Sequence, residues 1–280
     1  MGHPDTYRLA GVMGFPVLHS RSPMLHNYWL KLYGFSGSYV PLEIDQRHLE
    51  KALRALPALG FSGCNLTIPH KVLALGMVDH VDDLARWVGA GNCCVVRPDG
   101  SLSLRNYDVF GFFTSIEHEK PDWRADTGPA TVLGAGGAAR AIICGLLERN
   151  VPEIRLANRS LDKAQALRDE FGPVITVVPW EERSAALAGI ALLVNTTSLG
   201  MVGQPPLKIA LDDLPKKAVV NDIVYTPLET GLLRAARKRG NTAVDGLGML
   251  LHQARPAFRD WWGIMPVVTP ELRAMMEATI

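Results

Sequence analysis

Apolar and polar positions along the chain fall into short blocks whose period switches between about two and about 3.6, which predicts strands alternating with helices. Strands are expected over residues 7–15, 37–44, 63–68, 92–97 and 102–104, the last two joined by the turn Pro98-Asp99-Gly100. Helices are expected over 23–32, opened by Ser22 and Pro23, over 46–56, and after Pro69. Residues 117–129 are polar and hold two prolines, so a surface loop is expected there. A second series follows, with strands over 130–133, 154–157, 174–178, 191–195 and 218–222. Its helices cover 137–149, 161–171 and 230–239, the last ended by Gly240, and two more cover 248–259 and 270–278. The expected class is α/β, with a sheet covered by helices in each half.

Composition narrows the setting. A length of 280 residues corresponds to roughly two domains. Lys plus Arg is 29 and Asp plus Glu is 28, so the formal net charge is +1, which removes the electrostatic case for nucleic acid or an anionic membrane as partner. Hydrophobic residues at 48% and charged residues at 20% are a globular balance. Cys64, Cys93, Cys94 and Cys144 form no C-x-x-C pair, so neither a disulfide framework nor a metal site is expected. Residues 1–9 show no basic-then-apolar leader pattern, and the longest apolar run, 185–194, is too short to span a bilayer. A cytoplasmic protein is expected.

The strongest local signal is Thr131-Val132-Leu133-Gly134-Ala135-Gly136-Gly137-Ala138-Ala139-Arg140. An apolar strand runs into a glycine turn and then an alanine-rich helix, so Gly134, Gly136 and Ala139 fit the dinucleotide pattern G-x-G-x-x-A in the required context. The first glycine makes the turn, the second admits a pyrophosphate to backbone N–H groups, and the helix N-terminus faces the anion. The next strand ends in Asn158-Arg159-Ser160, without the acid that would bind a ribose 2′-hydroxyl. Arg159 can stack on adenine and pair with a 2′-phosphate, and Lys163 adds a second cation, so NADP is expected over NAD. Asp162, nearby, could neutralise that charge.

Other polar groups are scattered. Ser20 and Ser22 lie in a loop before a helix, where Ser22 alone would be read as an N-cap. In Asn65-Leu66-Thr67-Ile68-Pro69-His70-Lys71, strand alternation puts Asn65 and Thr67 on one face, and Lys71 falls in a helical first turn, an unfavourable place for a cation. Asn92, Asn106-Tyr107-Asp108, Tyr225 and Gly246-Leu247-Gly248-Met249-Leu250-Leu251-His252-Gln253 complete the set. Taken in order, together with Asn195-Thr196-Thr197-Ser198-Leu199-Gly200-Met201, these motifs resemble the shikimate dehydrogenase family over nearly the whole chain.

The resemblance implies reversible, NADPH-dependent reduction of 3-dehydroshikimate to shikimate, on the route to chorismate and aromatic amino acids. It implies a catalytic pair, Lys71 and Asp108. Substrate contacts would come from Ser20, Ser22, Asn65, Thr67, Asn92, Tyr225 and Gln253. Cofactor contacts would come from Gly134, Ala135, Gly136, Gly137, Ala138, Asn158, Arg159, Ser160, Lys163, Thr196, Ser198, Met201, Gly246 and Met249. It further implies a substrate domain formed by residues 1–109 and 246–280, a Rossmann-like NADP-binding domain over 110–245, and a monomer or homodimer. The chain departs from the family pattern at Cys93, Tyr107 and Val109, where Thr, Thr and Gly are common, and at Lys163, where Arg is frequent. These departures bear on substrate range, since related paralogues take quinate or aminoshikimate. A non-catalytic NADP-binding regulator would be marked by loss of Lys71 or Asp108, and both are present.

Overall fold

A strand buried on both faces needs helices above and below it, and the first sheet is built around one. In the computed structural model, which describes residues 7–280, β1 (Arg8–Gly14) is buried from Ala10 onward. The segment 1–6, part of the stretch read for a leader, lies outside the described residues. Crossovers through α1 (Ser22–Leu32) and α2 (Leu49–Ala55) make β2 (Gly37–Glu43) and β3 (Phe61–Leu66) parallel to β1. The tight turn at 98–100 then makes β5 (Cys93–Val96) and β6 (Leu102–Arg105) antiparallel. With β4 (His80–Val81) the sheet order is β2-β1-β3-β5-β6-β4. Leu49 and Leu53 of α2 pack with Cys64, Leu66, Cys94 and Leu104 in one buried cluster. A second, aromatic cluster gathers Trp29 of α1, Tyr39 of β2, and Phe258 and Trp261 around His26.

The second series forms a fully parallel sheet. β7 (Ala130–Leu133), α6 (Gly137–Glu148), β8 (Ile154–Ala157), α7 (Leu161–Phe171) and β9 (Ile175–Val178) wind one way. β10 (Leu192–Asn195), β11 (Val219–Asp222), α8 (Gly231–Arg239) and β12 (Thr242–Val244) wind the other, giving the order β12-β11-β10-β7-β8-β9. The strand order reverses between β7 and β10, the doubly wound arrangement whose ligands bind at that switch point. The chain divides into two compact units: unit 1 holds the residues up to Asp108 and Leu251–Thr279, and unit 2 holds Val109–Leu250.

The expected loop over 117–129 holds from Lys120 onward, and only its first three residues are α-helical instead. Helix α5 (Asp108–Glu119) runs into it, followed by a 3-10 turn at Ala125–Thr127. Val109, Phe112, Phe113 and Ile116 recur at helical spacing and are all buried. Gly145 lets α6 approach: a Cβ there would lie 2.2 Å from the Phe113 ring. β4, β12, α3 (His70–Leu73) and α4 (Asp83–Val88) are short, and of these only α3 carried an expectation. α4 is capped by Asp82, whose Oδ1 accepts the Ala85 N–H at 2.6 Å. α9 (Gly246–Trp262) starts ahead of Gly248 because Asp245 Oδ1 accepts the N–H groups of Leu247 and Gly248 at 3.1 and 3.2 Å. It then continues through Pro256, and α10 (Pro270–Glu277) follows. No described helix is long and apolar enough to cross a membrane.

Candidate active site

In unit 1, the end of β3 and the loop after it carry the first group of predicted residues. Asn65 is buried on β3, and a cross-strand bond from Leu66 N–H to the Asn92 carbonyl fixes the neighbouring chain. Gly14 lets the loop close in, since a Cβ there would fall 2.5 Å from Thr67 Cγ2. The turn continues into α3, where the Lys71 carbonyl accepts the Gly91 N–H.

That backbone aims Lys71 at Asp108. Lys71 Nζ donates to Asp108 Oδ2 at 2.7 Å, with side chains 28% and 9% exposed. The other carboxylate oxygen is held too: Asn92 Nδ2 donates to Asp108 Oδ1 at 2.9 Å and to Gln253 Oε1 at 3.0 Å. Asn92 Oδ1 accepts the Tyr107 N–H at 2.8 Å, so the whole amide is engaged. Asn106 Oδ1 accepts the Asp108 N–H at 3.0 Å, and Asn106 Nδ2 reaches the Ala90 carbonyl at 2.9 Å. Asn65 joins from the other side, donating to the Asn92 carbonyl at 3.0 Å and accepting from the Tyr39 hydroxyl at 2.7 Å. Burial holds the Tyr39 phenol well above its usual pKa range, so it stays a donor.

Lys71, Asp108, Asn65, Asn92 and Gln253 are thus joined in one hydrogen-bonded cluster. Ser22 is buried as the first residue of α1, and the N-cap position falls to Arg21, contrary to the plain N-cap reading of Ser22. Its N–H instead meets Ser20 Oγ at 3.3 Å. Tyr225 belongs to unit 2, in the segment after β11. Tyr39 is a cluster member that no sequence pattern singled out, while Asn106, read only as part of the Asn106-Tyr107-Asp108 motif, joins the cluster as well. The Tyr107 hydroxyl donates to Asp260, and Arg105 Nη1 bonds the same carboxylate at 2.6 Å.

In unit 2, Gly134 has φ +106°, and a Cβ there would fall 2.6 Å from Thr196 Oγ1. The turn therefore lies tight against the loop after β10, where Thr196 Oγ1 donates to the Leu133 carbonyl at 2.7 Å. Gly136 and Gly137 differ: a Cβ at either would meet nothing within 4 Å. No side chain caps the start of α6, so its first amides face that open cradle. This fits a pyrophosphate. At the tip of β8, Asn158 Nδ2 folds back onto the Ser160 carbonyl at 2.7 Å. Arg159 and Lys163 are exposed, and neither joins an ion pair among the described residues, with Asp162 or any other acid. The tip therefore presents two exposed cations that no carboxylate of the described residues neutralises.

Two further loops of unit 2 are tied together through buried Asp222. Its Oδ1 accepts from Asn195 Nδ2 at 2.9 Å and its Oδ2 from Thr230 Oγ1 at 2.7 Å, while burial raises its pKa. Val202 N–H bonds the Thr226 carbonyl at 2.9 Å, joining the segment of Ser198 and Met201 to that of Tyr225. Gly246 is required where α9 begins, since a Cβ would lie 2.1 Å from the Ile223 carbonyl oxygen, and Met249 follows one turn later. No cluster of His, Cys, Asp and Glu among the described residues could hold a metal ion.

The chain is similar to known proteins in sequence and in fold. Residues 12–94 match the shikimate dehydrogenase substrate binding domain, and residues 117–226 match shikimate / quinate 5-dehydrogenase. A shikimate dehydrogenase (NADP(+)) of Paramagnetospirillum magneticum is 55% identical over 269 residues, covering 96% of this chain and 98% of its own. The structure of shikimate 5-dehydrogenase from Thermus thermophilus in complex with NADP(H) and shikimate is 34% identical, with a TM-score of 0.85 over 98% of this chain and 99% of that one. A quinate dehydrogenase from Corynebacterium glutamicum in complex with NAD is 30% identical, with a TM-score of 0.87 over 97% of each chain. By motif, fold and these matches, the chain belongs to the shikimate dehydrogenase family.

Proposed function

We propose that this chain catalyses the reversible, NADPH-dependent reduction of 3-dehydroshikimate to shikimate, with Lys71 and Asp108 as its catalytic pair. The observation that carries the reading is the 2.7 Å Lys71–Asp108 contact, set in a cluster with Asn92 and Gln253. When bound, NADPH supplies the hydride. Lys71 Nζ handles the proton, donating it to the oxygen of the ketone as that oxygen becomes a hydroxyl and taking it back in the reverse direction. Asp108 does not need to move: one oxygen holds Lys71 and the other is fixed by Asn92. Ser20, Ser22, Asn65, Thr67, Asn92, Gln253 and Tyr225 supply short neutral donors and acceptors suited to a hydroxylated acid.

On the cofactor side, Gly134, Ala135, Gly136, Gly137 and Ala138 would hold the pyrophosphate against α6. Asn158, Arg159, Ser160 and Lys163 would hold the adenosine 2′-phosphate. Thr196, Ser198, Met201, Gly246 and Met249 would line the nicotinamide. Every group of the unit 1 cluster comes from one chain, so a monomer or a homodimer would serve. Four free, buried cysteines support a reducing, cytoplasmic setting.

The test is nicotinamide reduction with shikimate and quinate, each against NADP and NAD, for the parent and for Lys71→Ala. Turnover of shikimate with NADP is expected, and Lys71→Ala should lose ~10²–10⁴ in kcat. Preference for quinate or for NAD would reassign the substrate or the cofactor. Near-parental turnover by Lys71→Ala would remove that residue from the mechanism.

A further inference from the structure

Tyr107 departs from the family pattern and sits between Asn106 and Asp108, both in the hydrogen-bonded cluster. Its backbone N–H is already spent on Asn92 Oδ1 at 2.8 Å. Its hydroxyl donates to Asp260 Oδ2, which also receives Arg105 Nη1 at 2.6 Å, while Arg259 Nη2 reaches Asp260 Oδ1 at 3.0 Å. The Asp260 side chain is only 8% exposed, so the carboxylate is boxed in by cations and a phenol. Burial raises the Tyr107 phenol above its usual range, which keeps its proton on oxygen and available to Asp260.

Asp260 and Gln253 are seven residues apart on α9, hence on one face of the helix. The same helix face therefore meets the segment 105–108 through Asp260 and meets Asn92 through Gln253. Trp261 Nε1, donating to the Cys94 carbonyl at 3.2 Å, pins the helix beside these contacts.

We infer that Tyr107, Asp260 and Arg105 form a clamp that docks α9 on the Asn106–Asp108 segment and so positions Gln253 and Asn92 for the substrate. These are positioning residues: they act through Asn92 and Gln253. The inference rests on the proposed function only for its kinetic consequence, because the clamp is made entirely of this chain's own residues.

The experiment uses the full chain and the variants Tyr107→Phe, Asp260→Asn and the double variant. In the ligand-free protein, the side-chain amide NMR signals of Asn92 and Gln253, assigned through Asn92→Asp and Gln253→Glu, should shift in Tyr107→Phe and in Asp260→Asn. With shikimate and NADP, KM for shikimate should rise about tenfold, the worth of one misplaced hydrogen bond, while KM for NADP stays within twofold (roughly) of the parent. The double variant should be no worse than the poorer single one, as expected for residues acting as a unit. Unmoved amide signals would overturn the clamp. So would kinetic constants that match the parent while only the melting temperature drops, or effects that simply add. Absence of shikimate oxidation by the parent would instead sink the proposed function, and the amide signals would still decide the clamp.

Discussion

At the scale of single residues, burial decides what a titratable group can do. His26 is fully buried and stacked on Tyr39, with ring centroids 4.1 Å apart and planes within 4°. Its other ring neighbours are Trp29, Phe258, Trp261 and Trp262, none of them charged. Burial pushes its pKa down to about 3, against a smaller opposing effect of Asn65. The unfolded chain therefore takes up this proton below about pH 6.5 while the folded chain does so only near its own, lower value. Stability from this group is complete above the unfolded pKa and falls as pH drops from there toward 3, by about 1.4 kcal/mol per pH unit. Urea midpoints of the parent should accordingly fall between pH 7 and 4.5 (roughly), and those of His26→Phe should fall more shallowly. Parallel slopes would show that His26 titrates normally in the folded protein.

At the scale of elements, the glycines of the β7–α6 turn separate packing from binding. Gly134 is fixed by its φ of +106° and by Thr196, so Gly134→Ala should cost about 1–3 kcal/mol of stability through backbone strain. Gly136 has an extended backbone and open space where a Cβ would go. Gly136→Ala should therefore melt near the parent temperature and lose NADP affinity, read by calorimetric titration. Equal affinity would place the phosphates elsewhere. This turn was legible in the sequence because strand, turn and helix are consecutive and each demands its own residue types. α5 was not, although Val109, Phe112, Phe113 and Ile116 carry its period. Its polar last turn merges with the loop beyond Glu119, and its first residue is also the last of the Asn106-Tyr107-Asp108 motif, so neither end is marked in the chain.

At the scale of the whole molecule, unit 1 is discontinuous in sequence. Its sheet comes from residues up to Asp108, yet Phe258, which packs on Trp29, and Trp261, which packs on His26, come from the returning chain. A chain ended at Leu250 loses those rings along with Gln253 and Asp260. It should lose near-UV circular dichroism and shikimate turnover while its complete parallel sheet still binds NADP. Native near-UV ellipticity in that truncation would show that unit 1 closes without the return.

Lys71, Asp108, Asn92 and Gln253 stood out only through the family resemblance, but what is local was legible in the chain: two runs of alternating elements, the glycine turn and the basic tip of β8. Such features depend on spacing within one or two elements, and residue type with period is enough to read them. Only the tertiary structure decided which of those groups meet. Asn92 and Gln253 are 161 residues apart, and Tyr107 and Asp260 are 153 apart. A bond across that distance leaves no period in the chain, because each partner satisfies its own local pattern. Only the return of α9 to the first sheet brings donor and acceptor within reach.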